Sequence, residues 1–201
     1  LVKSNEIKTW AFGELYKGHG EKIVQQIIAY HEKHEGVSRF VKFRYWSENL
    51  LGQSYTEEIG EKLSRTYSQL VFDSLVKAPY VDSALEFLNK HYQNIPLFVA
   101  SGTPEPELRK IIKKRSIPHF FKGIYGSPAT KTEIMQEILK MHQYYADKVL
   151  VVGDALSDFE GAKDVGAEFM CMNSGKSSKI FSTTKFLLNN FAELDKYIYL
   201  C

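Results

Sequence analysis

The sequence predicts an α/β fold: a parallel sheet interleaved with helices, preceded by a bundle of amphipathic helices. Three stretches carry that expectation. Val149-Leu-Val-Val is a run of aliphatic residues of the kind found in a strand buried on both faces of a parallel sheet, and Gly153 ends it. Pro96-Leu-Phe-Val-Ala-Ser101 is a second such run, closed by Gly102 and by Pro104, which can open a helix. Residues 4–78, by contrast, carry only helical periodicity.

Taken in order, Ser4 can cap a helix running to about Lys17, with Ile7, Trp10, Ala11 and Leu15 on one stripe. A second helix is expected from Gly20 to His34, and a third from Ser38 to about Leu51 after the break at Gly36-Val37. Ser54, with Glu57 three residues on, is a capping-box candidate for a fourth helix reaching Lys77. None of the four could bury its apolar face alone, so they pack as a bundle. Pro79 marks the boundary, which divides the chain into residues 1–78 and 79–201, with residues 1–4 as a linker.

Beyond it the pattern alternates. A helix (Val81–His91) precedes the Leu97 strand, and a helix from Pro104 to Arg115 precedes a short strand, Gly123–Gly126. The Lys131–Tyr144 helix, the Val149 strand, the Ser157–Val165 helix and the strand Glu168–Met172 come next. Lys185–Leu188 can add an edge strand before a closing helix from Phe191. Such alternation implies parallel strands with right-handed crossovers.

Composition fits an ordinary enzyme-sized domain. The 201 residues are 44% hydrophobic and 25% charged, enough apolar material for a core. A net charge of +2 argues against a nucleic-acid binder. Two cysteines, Cys171 in an apolar run and Cys201 at the end, give neither a disulfide framework nor metal-ligand spacing. The six histidines show no ligand spacing and read as surface or packing residues. No apolar run approaches the roughly 18 residues of a membrane helix, so a cytoplasmic protein, a monomer or weak dimer, is expected.

The chemistry gathers at strand ends. Asp154 and Asp158 stand where the Val149 strand turns into a helix, the place where open α/β sheets bind ligands. Two acids held there repel unless a cation joins them, and oxygen donors suit a hard ion such as Mg²⁺; equally, Asp158 can simply favour the helix dipole. Ser101 and the Gly102 amide, beside a helix start, can form an anion site. Lys131, at the first turn of a helix, opposes the dipole and calls for an anion or a carboxylate partner. Hydroxyl, lysine and two acids at successive strand ends make a phosphate-and-magnesium constellation, although each alone also reads as a cap or a solvated charge.

On these residues the chain resembles the haloacid dehalogenase-like hydrolases, in their phosphoglycolate phosphatase and β-phosphoglucomutase branch. Leu97-Phe-Val-Ala-Ser-Gly-Thr-Pro resembles the second motif, Lys131 the third, and Val149–Asp158 with Gly161-Ala-Lys-Asp-Val-Gly-Ala the fourth. The resemblance implies a Rossmann-like core with a helical cap. It also implies phosphoryl transfer through an aspartyl-phosphate, with Mg²⁺ held by Asp154. Lys131 and Asp158 would be catalytic, Asp158 orienting a metal-bound water or pairing with Lys131. Ser101 and Gly102 would bind the transferring phosphoryl group. Gly36-Val-Ser-Arg39 looks like a cap motif whose arginine holds a substrate's distal phosphate, a task suited to the guanidinium fork; Lys42 shares that helical face better than Arg44.

The family's first motif is a strand leading into Asp-x-Asp-Gly, and its first aspartate attacks phosphorus. Leu1–Phe12 resembles the residues directly after that motif, and no Asp-x-Asp occurs in the 201 residues. The expectation is therefore that the native chain extends upstream of Leu1, with the missing strand central between those ending at Ser101 and Asp154. A protein beginning at Leu1 would lack turnover. The resemblance leaves three readings: a Mg²⁺-dependent phosphatase of a small phosphorylated metabolite such as a sugar phosphate, a β-phosphoglucomutase-like phosphosugar mutase, or an inactive chain serving as a binding module.

Overall fold

A computed structural model describes residues 1–174 and 187–198. Four helices come first: α1 (Asn5–Tyr16), α2 (Glu21–Lys33), α3 (Arg39–Tyr45) and α4 (Glu57–Lys77). The third is prolonged by a π turn, Trp46–Leu50, so the helical stretch expected to Leu51 is present with a change of winding. Their apolar stripes meet in one core of Ala11, Phe12, Tyr16, Ile27, Phe43, Trp46, Tyr67, Val71 and Leu75. Fully burying an aromatic or aliphatic side chain of this kind contributes about 1.5–3 kcal/mol. Aromatic edges interlock there, with the Phe12 and Trp46 centroids 5.0 Å apart.

Two caps differ from expectation. Ser4 occupies the N-cap of α1 but its hydroxyl makes no cap hydrogen bond. The cap of α4 is Thr56, whose hydroxyl accepts from the Ile59 amide, and not Ser54. The chain from Ser54 to Thr56 remains non-helical, so the acids Glu57 and Glu58 fall in the first turn, where the dipole favours them.

Residues 1–3 run antiparallel to residues 79–81, with Val2 bridging Tyr80, the Val81 amide donating to the Leu1 carbonyl and the Lys3 amide to that of Pro79. Then come α5 (Ala84–His91), β1 (Phe98–Pro104), α6 (Glu105–Lys114), β2 (Gly123–Ser127), α7 (Lys131–His142), β3 (Leu150–Gly153), α8 (Leu156–Val165), β4 (Glu168–Met172), β5 (Leu187–Leu188) and α9 (Phe191–Ile198). Each falls within a few residues of its expected place; of the edge strand read over Lys185–Leu188, residues 185–186 lie outside the described ones. Thr130 caps α7 through a full capping box with Glu133, which fixes where Lys131 begins the helix.

All strand pairs are parallel, as the alternation predicts. Among the described residues they form two pieces, β1–β2 and β3–β4–β5, and not one continuous sheet. β1, which carries Ser101, and β3, which leads into Asp154, belong to different pieces. Two apolar clusters flank the pieces: Leu108, Ile112, Ile117, Phe120 and Ile124 around the first, and Ala84, Phe87, Met170, Met172, Leu188, Phe191 and Leu194 around the second. Cys171 is buried in β4, as its apolar run predicts.

Candidate active site

The carboxyl ends of β1, β2 and β3 bring Ser101, Lys131, Asp154 and Asp158 to one place beneath the helical bundle. The Lys131 ammonium lies 2.7 Å from Asp158 Oδ1 and donates to the Ala100 carbonyl at 2.5 Å. Asp158 is buried, and its other oxygen accepts from the Ala155 amide at 3.2 Å. Of the two arrangements the resemblance allows Asp158, the geometry is the lysine pair. That pair is possible because residue 153 has no side chain: a Cβ there would strike the Asp158 carboxyl. Ser101 lies within β1, directly after Ala100, where the regular pairing with β2 breaks off, and its hydroxyl accepts from the Thr103 amide at 3.2 Å.

Asp154 is half-buried, and among the described residues no ion pair joins its carboxylate to a cation. Its Oδ2 accepts from Asn5 Nδ2 at 3.2 Å, and the same amide nitrogen reaches Glu35 Oε2 at 3.2 Å. One asparagine at the start of α1 thus lies between an acid of the α/β layer and an acid of the bundle. The donor set suits a hard divalent cation. Among the described residues no group of three or more His, Cys, Asp or Glu converges in metal-binding geometry, so the protein would offer one or two carboxylates. Mg²⁺ is bound in that way, with waters and phosphate oxygens completing its shell.

The loop between α2 and α3 covers these strand ends. A side chain on Gly102 would run into the Gly36 carbonyl, and one on Gly36 into the Ser157 hydroxyl. Gly36 also holds φ of 79°, the left-handed region that glycine enters freely. Ser157 donates to the Glu35 carbonyl at 3.4 Å, a long bond that ties the same loop to α8.

Arg39 comes just after that loop and is 5% exposed. Its fork makes two 2.9 Å bonds to the Glu107 carboxylate of α6 and a 2.8 Å bond to Ser68, and its plane lies over Tyr67. Both arms are engaged, so a substrate phosphate would have to displace Glu107 to reach them. Lys42, on the same face, is 2% exposed, with its ammonium 2.8 Å from His31 Nδ1; Arg44 is exposed beside Tyr55. His31 therefore sits next to the site, a placement that ligand spacing along the chain does not reveal.

Burial lowers the Lys42 ammonium from its ordinary 10.5 to about 7; Lys8 pushes the same way and Glu35 opposes. The unfolded chain keeps this proton up to about pH 10.5 and the folded chain only to about 7. The destabilisation is therefore full below neutrality and fades as the pH climbs between those values. Lys42→Met is expected to raise Tm by several degrees at about pH 6 and by progressively less toward about pH 9. Calorimetry across that range checks this, and a gain independent of pH would count against it.

Sequence reasoning did not single out Asn5, Lys8, Glu35 or Glu107. Lys8 lies one turn beyond Asn5 on α1. Burial lowers its ammonium, the Asp154 and Glu35 carboxylates favour its charge, and Lys131 and Arg39 oppose it. The one available signal was the i, i+3 spacing of Asn5 and Lys8 at the start of an amphipathic helix.

Parallel strands with a polar site at their carboxyl ends, under a helical layer, define an α/β protein of the class in which the strand ends are the usual place for a ligand. Residues 11–172 match the haloacid dehalogenase-like hydrolases, and the chain belongs to that family. A phosphoglycolate phosphatase of Vibrio cholerae is 28% identical over 130 residues, which are 62% of this chain and 51% of that protein, so the match spans about half the relative's length. Among solved structures, a predicted phosphatase from Clostridium acetobutylicum superposes with TM-score 0.76 at 16% identity, covering 100% of this chain and 94% of the other. CbbY from Rhodobacter sphaeroides, solved with xylulose-(1,5)bisphosphate, gives 0.75 at 15% identity, covering 96% and 91%. These two likenesses establish the fold.

Proposed function

We propose that the protein is a Mg²⁺-dependent phosphatase of a small phosphorylated metabolite, sugar phosphates included, working through an aspartyl-phosphate. The observation that carries this reading is the Lys131–Asp158 pair set beside Ser101 and Asp154 at neighbouring strand ends. Family membership and the name of the Vibrio relative support it. In this reading the helical bundle is the cap, the chain acts in the cytoplasm, and its partner is the metabolite.

Asp154 would hold the Mg²⁺, with Asn5 fixing the carboxylate's orientation. The bound ion would supply Lewis-acid polarisation of the phosphoryl oxygens. Ser101 and the Gly102 amide would bind those oxygens. Lys131 would neutralise their charge while Asp158 keeps its ammonium aimed, and such preset donors are where most of the catalysis lies. In this reading the covalent acceptor would be an aspartate of the kind that opens the family's first motif. The Glu35–Val37 loop, closed over Gly102, would exclude water.

Phosphate release by the full-length protein from a panel of phosphomonoesters, with and without Mg²⁺, tests the reading; supplying a bisphosphate primer and monitoring isomers separates a mutase. Asp154→Asn is expected to lower turnover about 100-fold or more and to abolish the Mg²⁺ dependence, since several kcal/mol accompany the ion. Near-native turnover in that variant would overturn the metal assignment.

A further inference from the structure

Basic residues crowd the second half of α6 and its end: Arg109, Lys110, Lys113, Lys114 and Arg115. Two of them are accounted for. Arg109 pairs with Glu105 one turn back. Arg115 donates to the Leu75 and Val76 carbonyls at 3.1 and 2.7 Å, meeting acceptors that the last turn of α4 leaves without a helical partner. Lys110, Lys113 and Lys114 are exposed, and among the described residues no ion pair joins them to a carboxylate. At i, i+3 and i+4 they share one helical face, where like charges repel. The dipole favours Lys113 and Lys114 in the last turn, but Lys110 lies a turn earlier and lacks that support.

These lysines look across at α4. Ser68 meets Glu107 at one level, and Leu75 and Val76 meet Arg115 about two turns further along both helices. The two helices therefore run side by side in the same direction, tied at both levels. Between the ties is a groove of about 530 Å³, lined by Phe72 from α4 and by the three lysines from α6. Small-ligand sites occupy about 300–1,000 Å³. From Lys110 to Lys114 the helix rises about 6 Å, close to the length of a diphosphate. None of the lining residues belongs to the strand-end site. α6 leads away from the end of β1, and Lys110 and Lys114 stand about 8 and 14 Å along it from Glu105.

We propose that this groove is a second, non-catalytic binding site for a nucleoside di- or triphosphate. The lysines hold the phosphate chain, and Phe72 offers its ring to the base. Ammoniums are matched by phosphate oxygens, and an aromatic face beside them by a base, since every base has a π-face. Three lysines about a bounded groove favour a compact ligand over an anionic membrane, which takes clusters of about 4–8 basic residues. The ligand touches the bundle through α4 and the α/β layer through α6, so it favours the arrangement in which the two are together. The site stands independently of the phosphatase reading.

Calorimetry on the full-length protein in EDTA tests it with ADP, pyrophosphate and adenosine. ADP is expected to bind about fivefold or more tightly than either of the others, the worth of one stacked base or of the phosphate contacts. Changing the lysines together (Lys110→Gln, Lys113→Gln and Lys114→Gln) should weaken ADP about tenfold and leave adenosine within about twofold. Phe72→Leu should weaken ADP about fivefold or more and leave pyrophosphate within about twofold. The lysine changes touch only exposed side chains, so a folding defect in Phe72→Leu leaves the test intact. ADP should raise the Tm of the native protein and not that of the lysine variant. Lys131→Ala should retain ADP binding, which separates the groove from the strand ends. Absence of ADP binding, ADP binding that survives the lysine changes or is lost in Lys131→Ala, or pyrophosphate bound as tightly as ADP each overturns the proposal. Phosphatidylserine vesicles that capture the native protein and not the lysine variant, with ADP unable to compete, would overturn it in favour of a membrane surface.

Discussion

Lys131→Ala is expected to slow phosphate release by about 10²–10³-fold, the range for removing one preset donor from a developing oxyanion. The geometry sets the size of the effect. The ammonium is 13% exposed, 2.7 Å from Asp158 and 2.5 Å from the Ala100 carbonyl, so it is fixed before substrate arrives and needs little reorganisation. Losing it also leaves the buried Asp158 carboxylate, among the described residues, with the Ala155 amide alone. The affected charge is on the transferring group, so the loss should appear in kcat and also in inorganic phosphate affinity. Steady-state kinetics with phosphate inhibition measures both. A variant that keeps its phosphate affinity would place the phosphoryl group elsewhere.

Arg39→Ala carries the largest expected effect on stability. The guanidinium is 5% exposed and Glu107 11% exposed, with two parallel 2.9 Å bonds across the joint between α3 and α6. Removing one partner of a buried pair strands the other charge, and the expected loss is about 3–5 kcal/mol in urea unfolding. Arg39→Met combined with Glu107→Leu should recover most of it, because an apolar pair has no charge to strand. A loss below about 1 kcal/mol for the single change would mean that the pair is solvated and adds little.

The sequence made the scaffold legible wherever burial imposes a period. Val149–Val152 reads as a strand from its aliphatic run and β3 forms there, but half-buried throughout rather than covered on both faces, while β4 is buried only from Met170 onward. The caps were less legible: Ser54 and Thr56 both satisfy the capping chemistry, and the helix starts after the later one. Ser101, Lys131, Asp154 and Asp158 could be found because each comes after a strand, and parallel topology forces successive strand ends together. Asn5, Lys8 and Glu35 could not, since their meeting with Asp154 depends on how the bundle sits on the sheet. Arg39 shows the same limit. A Gly-Val-Ser-Arg pattern identifies a residue able to grip phosphate, but nothing in the pattern reveals that Glu107, 68 positions later, already fills the fork.

The contact between Gly36 and Gly102 is backbone against backbone, with no flexible side chain able to yield. A joint of that kind behaves as a gauge block: the loop either seats fully or stands off by the width of whatever intrudes. Even one methyl group at position 102 would hold the cleft ajar, so Gly102→Ala offers a way to trap the open form. On the proposed reading, a phosphorylated compound would enter only while the two glycines are apart, and their contact would re-form once it is seated beneath them.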